Sequence, residues 1–395
     1  MDHLKKPFLL ILFFCNNVFC QENPLAEIMK LNLPIIKKVR TNLKAHQVQL
    51  KYIQINRDSD ESFFKEYYFQ KNDSNYFYPA STVKLPIAIL ALQKINQLKK
   101  DGINIDMNTP FHIIDPISRK YIAKSDSTNP KNQLTISHLI KKVFLISDND
   151  AYNYLFDFLG KDYINSEMKK KDINNFSIRH KFLGLNNNQT WEYCFFNKKD
   201  TLYIQKSIES KNIPIVKLKN QDKGIANLVK GKLVNKPMNF SKKNWLSLSS
   251  QTKIIKRIFF PETFPRENLF SLDNYQIMFI KKWMGKNTLE STIFSSNEQN
   301  KLYDSYVKFF IYGDTKGKMN DEIRIYNKVG FAYGTVSDVA YIVNKKKGIE
   351  FILAGTILVN SNQIFNDDIY ENEEVGIPFL AEIGRQIYLY ELNRR

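Results

Sequence analysis

From Ser81 to Leu98 the chain is apolar nearly all round, with Val83, Leu85, Ile87, Ile89, Leu90, Leu92 and Ile95 distributed over every side of a helical wheel. A helix of that pattern is buried on most of its sides, so the remaining chain has to enclose it. Pro86 falls in its first turns, where a missing N–H costs least. A chain of 395 residues that is 43% hydrophobic and 13% aromatic can bury a core of this kind, as one large or two closely packed domains.

Around that helix the periodicities fall into blocks. Ala26 to His46 reads as an amphipathic helix interrupted by Pro34, Val48 to Tyr52 alternates as a half-buried strand, and a second strand includes Phe63 to Phe69. Leu134 to Gly160 is again helical, broken at Ser147-Asp148-Asn149-Asp150, where polar residues favour a turn. Gln189 to Phe240 is polar, lysine-rich and weakly periodic, an insertion to which no fold is assigned. Helical patterns resume from Lys242 to Phe259 and from Phe270 to Met284. Arg324 to Lys328, Val336 to Val343 and Ile349 to Leu358 are rich in Val, Ile and Tyr and separated by short turns, so they read as consecutive antiparallel strands before a last helix, Ile377 to Leu392. Strands at both ends with helices between them predict an α/β (α+β) fold, in which an antiparallel sheet built from both chain ends is flanked by helices and an all-helical domain is inserted. Residues 21–80 and 270–395 form the expected sheet domain, and residues 81–269 the helical one, with the insertion near 189–240.

The N-terminus has the pattern of a cleavable secretory signal over residues 1–20: Lys5 and Lys6, an apolar run from Phe8 to Phe14, then Val18-Phe19-Cys20 before Gln21. Cleavage near Cys20 leaves Cys194 as the single cysteine of a secreted or periplasmic protein, with no internal disulfide. The residues before Cys15 and Cys20 lack the small side chains that lipidation prefers, which disfavours a lipid anchor. No stretch reaches the roughly 18 uncharged apolar residues of a membrane helix, so no membrane span is expected. The net charge of +18 is spread over lysine pairs and triplets such as Lys169-Lys170-Lys171 without an aromatic-interleaved stripe, which fits a solvated basic surface rather than a nucleic-acid site. His112, His138 and His180 show no metal-ligand spacing and read as ordinary polar residues; no cofactor is expected, and a monomer is the default oligomeric state.

Chemistry enters at Ser81-Thr82-Val83-Lys84. A serine hydroxyl needs a base within hydrogen-bond reach to attack an acyl group, and residues three apart on a helix share a face, which sets the Lys84 amine beside Ser81. The same spacing recurs at Ser62/Lys65, Ser166/Lys169, Ser250/Lys253 and Ser305/Lys308, where the lysines read as solvated. Ser81 differs by opening the apolar helix and by having two further motifs downstream of it in order. Ser147-Asp148-Asn149, at a turn between helices, offers a hydroxyl for proton transfer and an amide for a substrate carbonyl or amide, although taken alone it reads first as an Asx turn or helix cap. Lys328-Val329-Gly330, on a strand, offers an ammonium to a carboxylate and a glycine that lets a ligand approach the backbone. Lys328 and desolvation together are expected to lower the pKa of Lys84.

The ordered trio resembles the penicillin-recognising serine hydrolases, most closely the class A β-lactamases and D,D-peptidases, over Tyr78 to Leu98, Ser147 to Leu159 and Tyr326 to Val343. The resemblance implies the β-lactamase/transpeptidase-like fold, an acyl-enzyme on Ser81, activation by Lys84 and proton transfer through Ser147. It also implies substrate binding by Asn149, Lys328 and Gly330, with the Ser81 and Phe331 N–H groups forming an oxyanion hole and a β-lactam or cell-wall peptide as substrate. Two departures stand out. The Glu-x-x-Leu-Asn string that carries the class A deacylating glutamate is missing, with Glu192 the nearby candidate, and Val329 occupies a position where the family has Thr or Ser. Both point to slow deacylation, to a D,D-peptidase or penicillin-binding protein, or to a catalytically idle peptide-binding module.

Overall fold

A computed structural model describes residues 22–58, 61–182, 188–198, 200–211, 216–291, 293 and 302–394; the signal pattern of residues 1–20 lies outside them. Three short helices open the described chain, α1 (Pro24–Lys30), α2 (Pro34–Arg40) and α3 (Leu43–His46). Pro34 starts α2 rather than merely interrupting one long helix, because a proline at the first helical position needs no N–H partner. Strands β1 (Gln49–Asp58) and β2 (Glu61–Phe69) follow, then the turn of 3₁₀ helix Ala80–Val83 leading into α4 (Lys84–Lys100). The middle of the chain holds β3 (Phe111–Ile114), β4 (Tyr121–Ala123), α5 (Ile136–Leu145), α6 (Asn149–Leu159), α7 (Lys161–Lys170) and β5 (Phe176–Ser177).

The stretch to which the sequence assigned no fold is strand-rich: β6 (Glu192–Phe196), β7 (Thr201–Gln205), β8 (Asp222–Lys223), β9 (Ala226–Val229), β10 (Lys232–Val234) and β11 (Met238–Asn239). Strand β12 (Trp245–Leu246) and helices α8 (Leu248–Phe259) and α9 (Asn274–Gly285) follow. The chain closes with β13 (Arg324–Ala332), β14 (Thr335–Asn344), β15 (Ile349–Leu358), β16 (Ile364–Phe365) and α10 (Ile377–Asn393).

The main sheet has the order β13-β14-β15-β1-β2 and is antiparallel throughout, so the two ends of the chain meet where β1 pairs with β15, Leu50 opposite Gly355. Both faces are buried. Val339, Tyr341 and Val343 of β14 join the apolar cluster around α4, whereas Val336, Ala340 and Ile342 join a second cluster beneath α10 and α1. Double burial explains why these strands read as almost continuous apolar runs. Helix α4 is enclosed as its composition demands, with Leu85, Ile87, Ala88, Ile89, Leu90, Ala91 and Leu92 all inaccessible to solvent. The segment read as helical also carries a four-stranded sheet, β4-β3-β6-β7, packed beside α6 through Phe111, Phe158, Tyr193 and Phe195. A third cluster, Tyr76, Tyr78, Ala80, Phe240, Trp245 and Phe365, ties the polar insertion to the segment just before Ser81.

Candidate active site

Three pieces of chain converge on Ser81. The first is its own turn: Ala80 adopts φ 46°, a left-handed backbone costly for a residue with a Cβ, and the chain then enters the 3₁₀ turn and α4. This places Lys84, fully buried, at the first position of α4.

The second is Ser147, also left-handed at φ 54°. Its carbonyl accepts a short hydrogen bond from Lys84 Nζ, its hydroxyl lies 3.4 Å from the same nitrogen, and Asn149 Oδ1 accepts from it at 2.7 Å. The Phe182 ring lies 5.2 Å from the ammonium. The intervening Asp148 takes the bland role open to it, capping α6 by accepting from Ala151 N at 2.7 Å. Among the described residues no hydrogen bond joins Lys84 Nζ to the Ser81 hydroxyl.

The third is β13. Lys328 Nζ donates to Ser147 Oγ at 2.8 Å and to the Val329 carbonyl at 2.8 Å, so both lysines meet one serine. Burial pushes Lys84 down to about 7, against the pull of Asp148 and Asp150. Burial, and next the Lys84 charge, push Lys328 well below the ordinary lysine range. A Cβ at Gly330 would lie 2.6 Å from Ser81 N and 2.8 Å from Thr82 N, so the strand touches the serine turn backbone to backbone. Gly330→Ala is expected to push β13 off this turn, costing about 1–3 kcal/mol of stability and at least about tenfold in covalent labelling of Ser81. Denaturant melts and labelling rates check both, and a variant with unchanged labelling contradicts the close approach. Val329, opposite Asp338 in the β13–β14 register, is buried in the cluster beneath α10.

Of these residues Ser81 and Asn149 open on a cleft of about 860 Å³, which Phe331, Tyr78, Tyr333, His180, Lys181, Lys243 and the loop residues Asp368 and Tyr370 also line, while Lys84 and Lys328 lie buried behind it. Phe331 is 54% exposed there. Glu192 is elsewhere: it sits on β6 opposite Ile114, ion-paired to Arg119 at 2.5 Å and to Lys206 at 3.7 Å, and does not line the cleft. Among the described lining residues the carboxylate is Asp368 and there is no glutamate.

Sequence patterns missed several groups here. Lys181 pairs with Asp157 at 2.7 Å, both side chains 1% exposed, and lies 4.0 Å from the Trp191 ring. His180 accepts from Asn244 N at Nε2 (3.2 Å) and approaches the Lys181 carbonyl with Nδ1 (2.8 Å), which fixes a neutral ring; burial pushes it down to about 4. Lys308, read as solvated, is instead 1% exposed and donates to the Met284 and Ile325 carbonyls and to Asn327 Oδ1, and burial pushes it down to about 7. Its surroundings are apolar, so three acceptors replace the lost water. The Lys65 and Lys169 side chains are exposed as expected. Among the described residues no group of three His, Cys, Asp or Glu is placed to hold a metal, and no helix is long and apolar enough to cross a membrane.

The profile of the β-lactamase enzyme family matches residues 35–268, more than half of the chain. Among solved structures the fold is similar to that of PBP-A, with a TM-score of 0.50, 12% identity, and 93% of this chain and 97% of that one covered. It is likewise similar to a β-lactamase from Desulfarculus baarsii, with a TM-score of 0.50, 13% identity, and coverage of 92% and 97%. No curated protein sequence matches the chain.

Proposed function

This chain belongs to the β-lactamase enzyme family, and we propose that it is an extracytoplasmic serine hydrolase that forms an acyl-enzyme on Ser81 with a β-lactam or a cell-wall peptide amide. One observation carries this: the Lys84 and Lys328 amines meet at the Ser147 hydroxyl while the Gly330 backbone abuts the Ser81 amide. In this reading the Ser81 oxygen attacks the acyl carbon as the neutral Lys84 amine takes its proton. The oxyanion is held by the Ser81 and Phe331 N–H groups. Ser147, between the two lysines, passes the proton to the departing nitrogen. Asn149 binds the acyl side chain, and Lys328 receives the substrate carboxylate, whose charge restores the ammonium that burial disfavours. The N-terminal signal pattern supports a location outside the cytoplasm.

The lining supports slow deacylation, since Glu192 faces Arg119 and no other glutamate among the described residues reaches the cleft. That favours a D,D-peptidase or penicillin-binding role over efficient β-lactam hydrolysis. The convergence of Lys84, Ser147, Asn149 and Lys328 behind Ser81, with Ser81 and Asn149 lining the cleft, argues against an idle module. Intact mass measurement after mixing with a penicillin is expected to show one adduct on Ser81 that persists; rapid turnover supports a lactamase, and no adduct supports the idle module. Because Lys84 acts as a base when neutral and sits at about 7, the acylation rate is expected to rise through pH 7 and level off above it. A rate that is flat from about pH 5 to about pH 9 contradicts Lys84 as the base.

A further inference from the structure

The polar insertion builds a wall of the cleft, and among the described residues its two lysines there form no ion pair. Lys242 and Lys243 line the cleft beside Asn239. Lys243 Nζ lies 3.3 Å from the Tyr333 hydroxyl and 5.4 Å from its ring, and among the described residues neither lysine has an acidic side chain within ion-pair distance. Lys181, on the same cleft, is by contrast neutralised by Asp157. The turn is held rigidly. Asn244, fully buried, accepts from the Arg179 and His180 amides at 2.7 and 3.1 Å and donates to the His180 carbonyl at 3.1 Å. Phe240, also fully buried, packs edge-on to Tyr333 at 5.5 Å and against Tyr78 at 6.0 Å. Two ammonium groups on a pre-organised aromatic base, neither of them ion-paired with Asp368 across the cleft, form a site for an incoming anion.

The position along β13 says which part of a substrate it meets. Lys328 stands on one side of the Gly330–Ser81 contact, and Tyr333, with Lys243 against it, on the other. We propose that the Lys242–Lys243 wall is a second anion subsite that selects substrates bearing a carboxylate on the acyl side chain, in addition to the one taken by Lys328. This rests on the acyl-enzyme reading above.

The test uses two probes with one nucleus, benzylpenicillin and its analogue carboxylated on the side chain, with labelling rates read by intact mass. The full-length protein is expected to acylate the carboxylated analogue about fivefold faster, the gap shrinking as salt is raised. Lys243→Met is expected to bring the ratio of the two rates to about one, whereas Lys236→Met, which removes an exposed charge outside the cleft, keeps it. A ratio near one in the parent protein, or an equal fall in the Lys236 variant, overturns the subsite. Should neither probe label Ser81, the acyl-enzyme reading fails, and calorimetric binding of the same probes to the Ser81→Ala protein still decides the subsite: about fivefold tighter binding of the carboxylated probe supports it, and equal binding overturns it.

Discussion

Ser81→Ala is expected to abolish covalent labelling by a penicillin, a loss on the order of 10⁴-fold or more in acylation rate, with a melting midpoint within about 2 °C of the parent. The two halves of this expectation have different causes. Catalysis collapses because a triad-like set works as a unit, and Lys84 without a nucleophile has no proton to take. Stability holds because the Ser81 side chain lines an open cleft and is only half-buried, so its removal leaves no sealed cavity. The strain upstream, at Ala80 with φ 46°, is in the backbone and is untouched by the change. Labelling that survives in this variant moves the nucleophile elsewhere, with Ser147 the first suspect because both lysines already reach it. A large loss of melting temperature contradicts the placement of Ser81 at the cleft.

Asp157→Ala is expected to destabilise the fold by about 3–5 kcal/mol, or roughly 4–6 °C in melting midpoint. Asp157 accepts from Trp191 N at 2.9 Å and pairs with Lys181 at 2.7 Å where neither side chain meets solvent. Burial raises its carboxyl pKa despite the pull of Lys181, so the pair survives only as a pair. Removing the carboxylate strands a buried ammonium over the Trp191 ring. The double variant Asp157→Leu, Lys181→Met is expected to recover most of the loss, since well-packed apolar side chains replace a buried ion pair at little or no cost. Thermal melts of Asp157→Ala and of the double variant decide the matter; equal destabilisation in both denies the coupling.

The parts of this protein that could be read from residues alone are those where local pattern and tertiary role coincide. Helix α4 announced its burial by being apolar nearly all round, and β14 and β15 announced theirs by apolar runs such as Val339 to Val343 and Phe351 to Ala354. Ser81 stood out from four decoys because it alone opened such a helix. The insertion stayed illegible because its strands are two to five residues long, so little alternation accumulates in any window, even where they pair locally as β6 with β7 and β9 with β10. Lys308 defeated the same logic from the other side. A lysine in a bare Ser-x-x-Lys spacing reads as solvated even beside Val307, Phe309 and Phe310, and the acceptors that permit its burial, Met284 and Ile325 carbonyls and Asn327, belong to separate segments of the chain. The Lys181–Asp157 pair left no trace for a related reason: its partners carry no periodicity and no motif.

The pairing of β1 with β15 has a consequence for how the chain comes into being. Loop closure over some three hundred intervening positions is slow, and contacts of that span form late. A nascent polypeptide therefore carries Ser81 and Lys84 long before the strand that supplies Lys328 has been synthesised. Any product terminating ahead of β13 lacks Lys328, and one ending ahead of β15 leaves β1 without its inner neighbour. The topology thus ties the assembly of the cleft to the synthesis of the late strands.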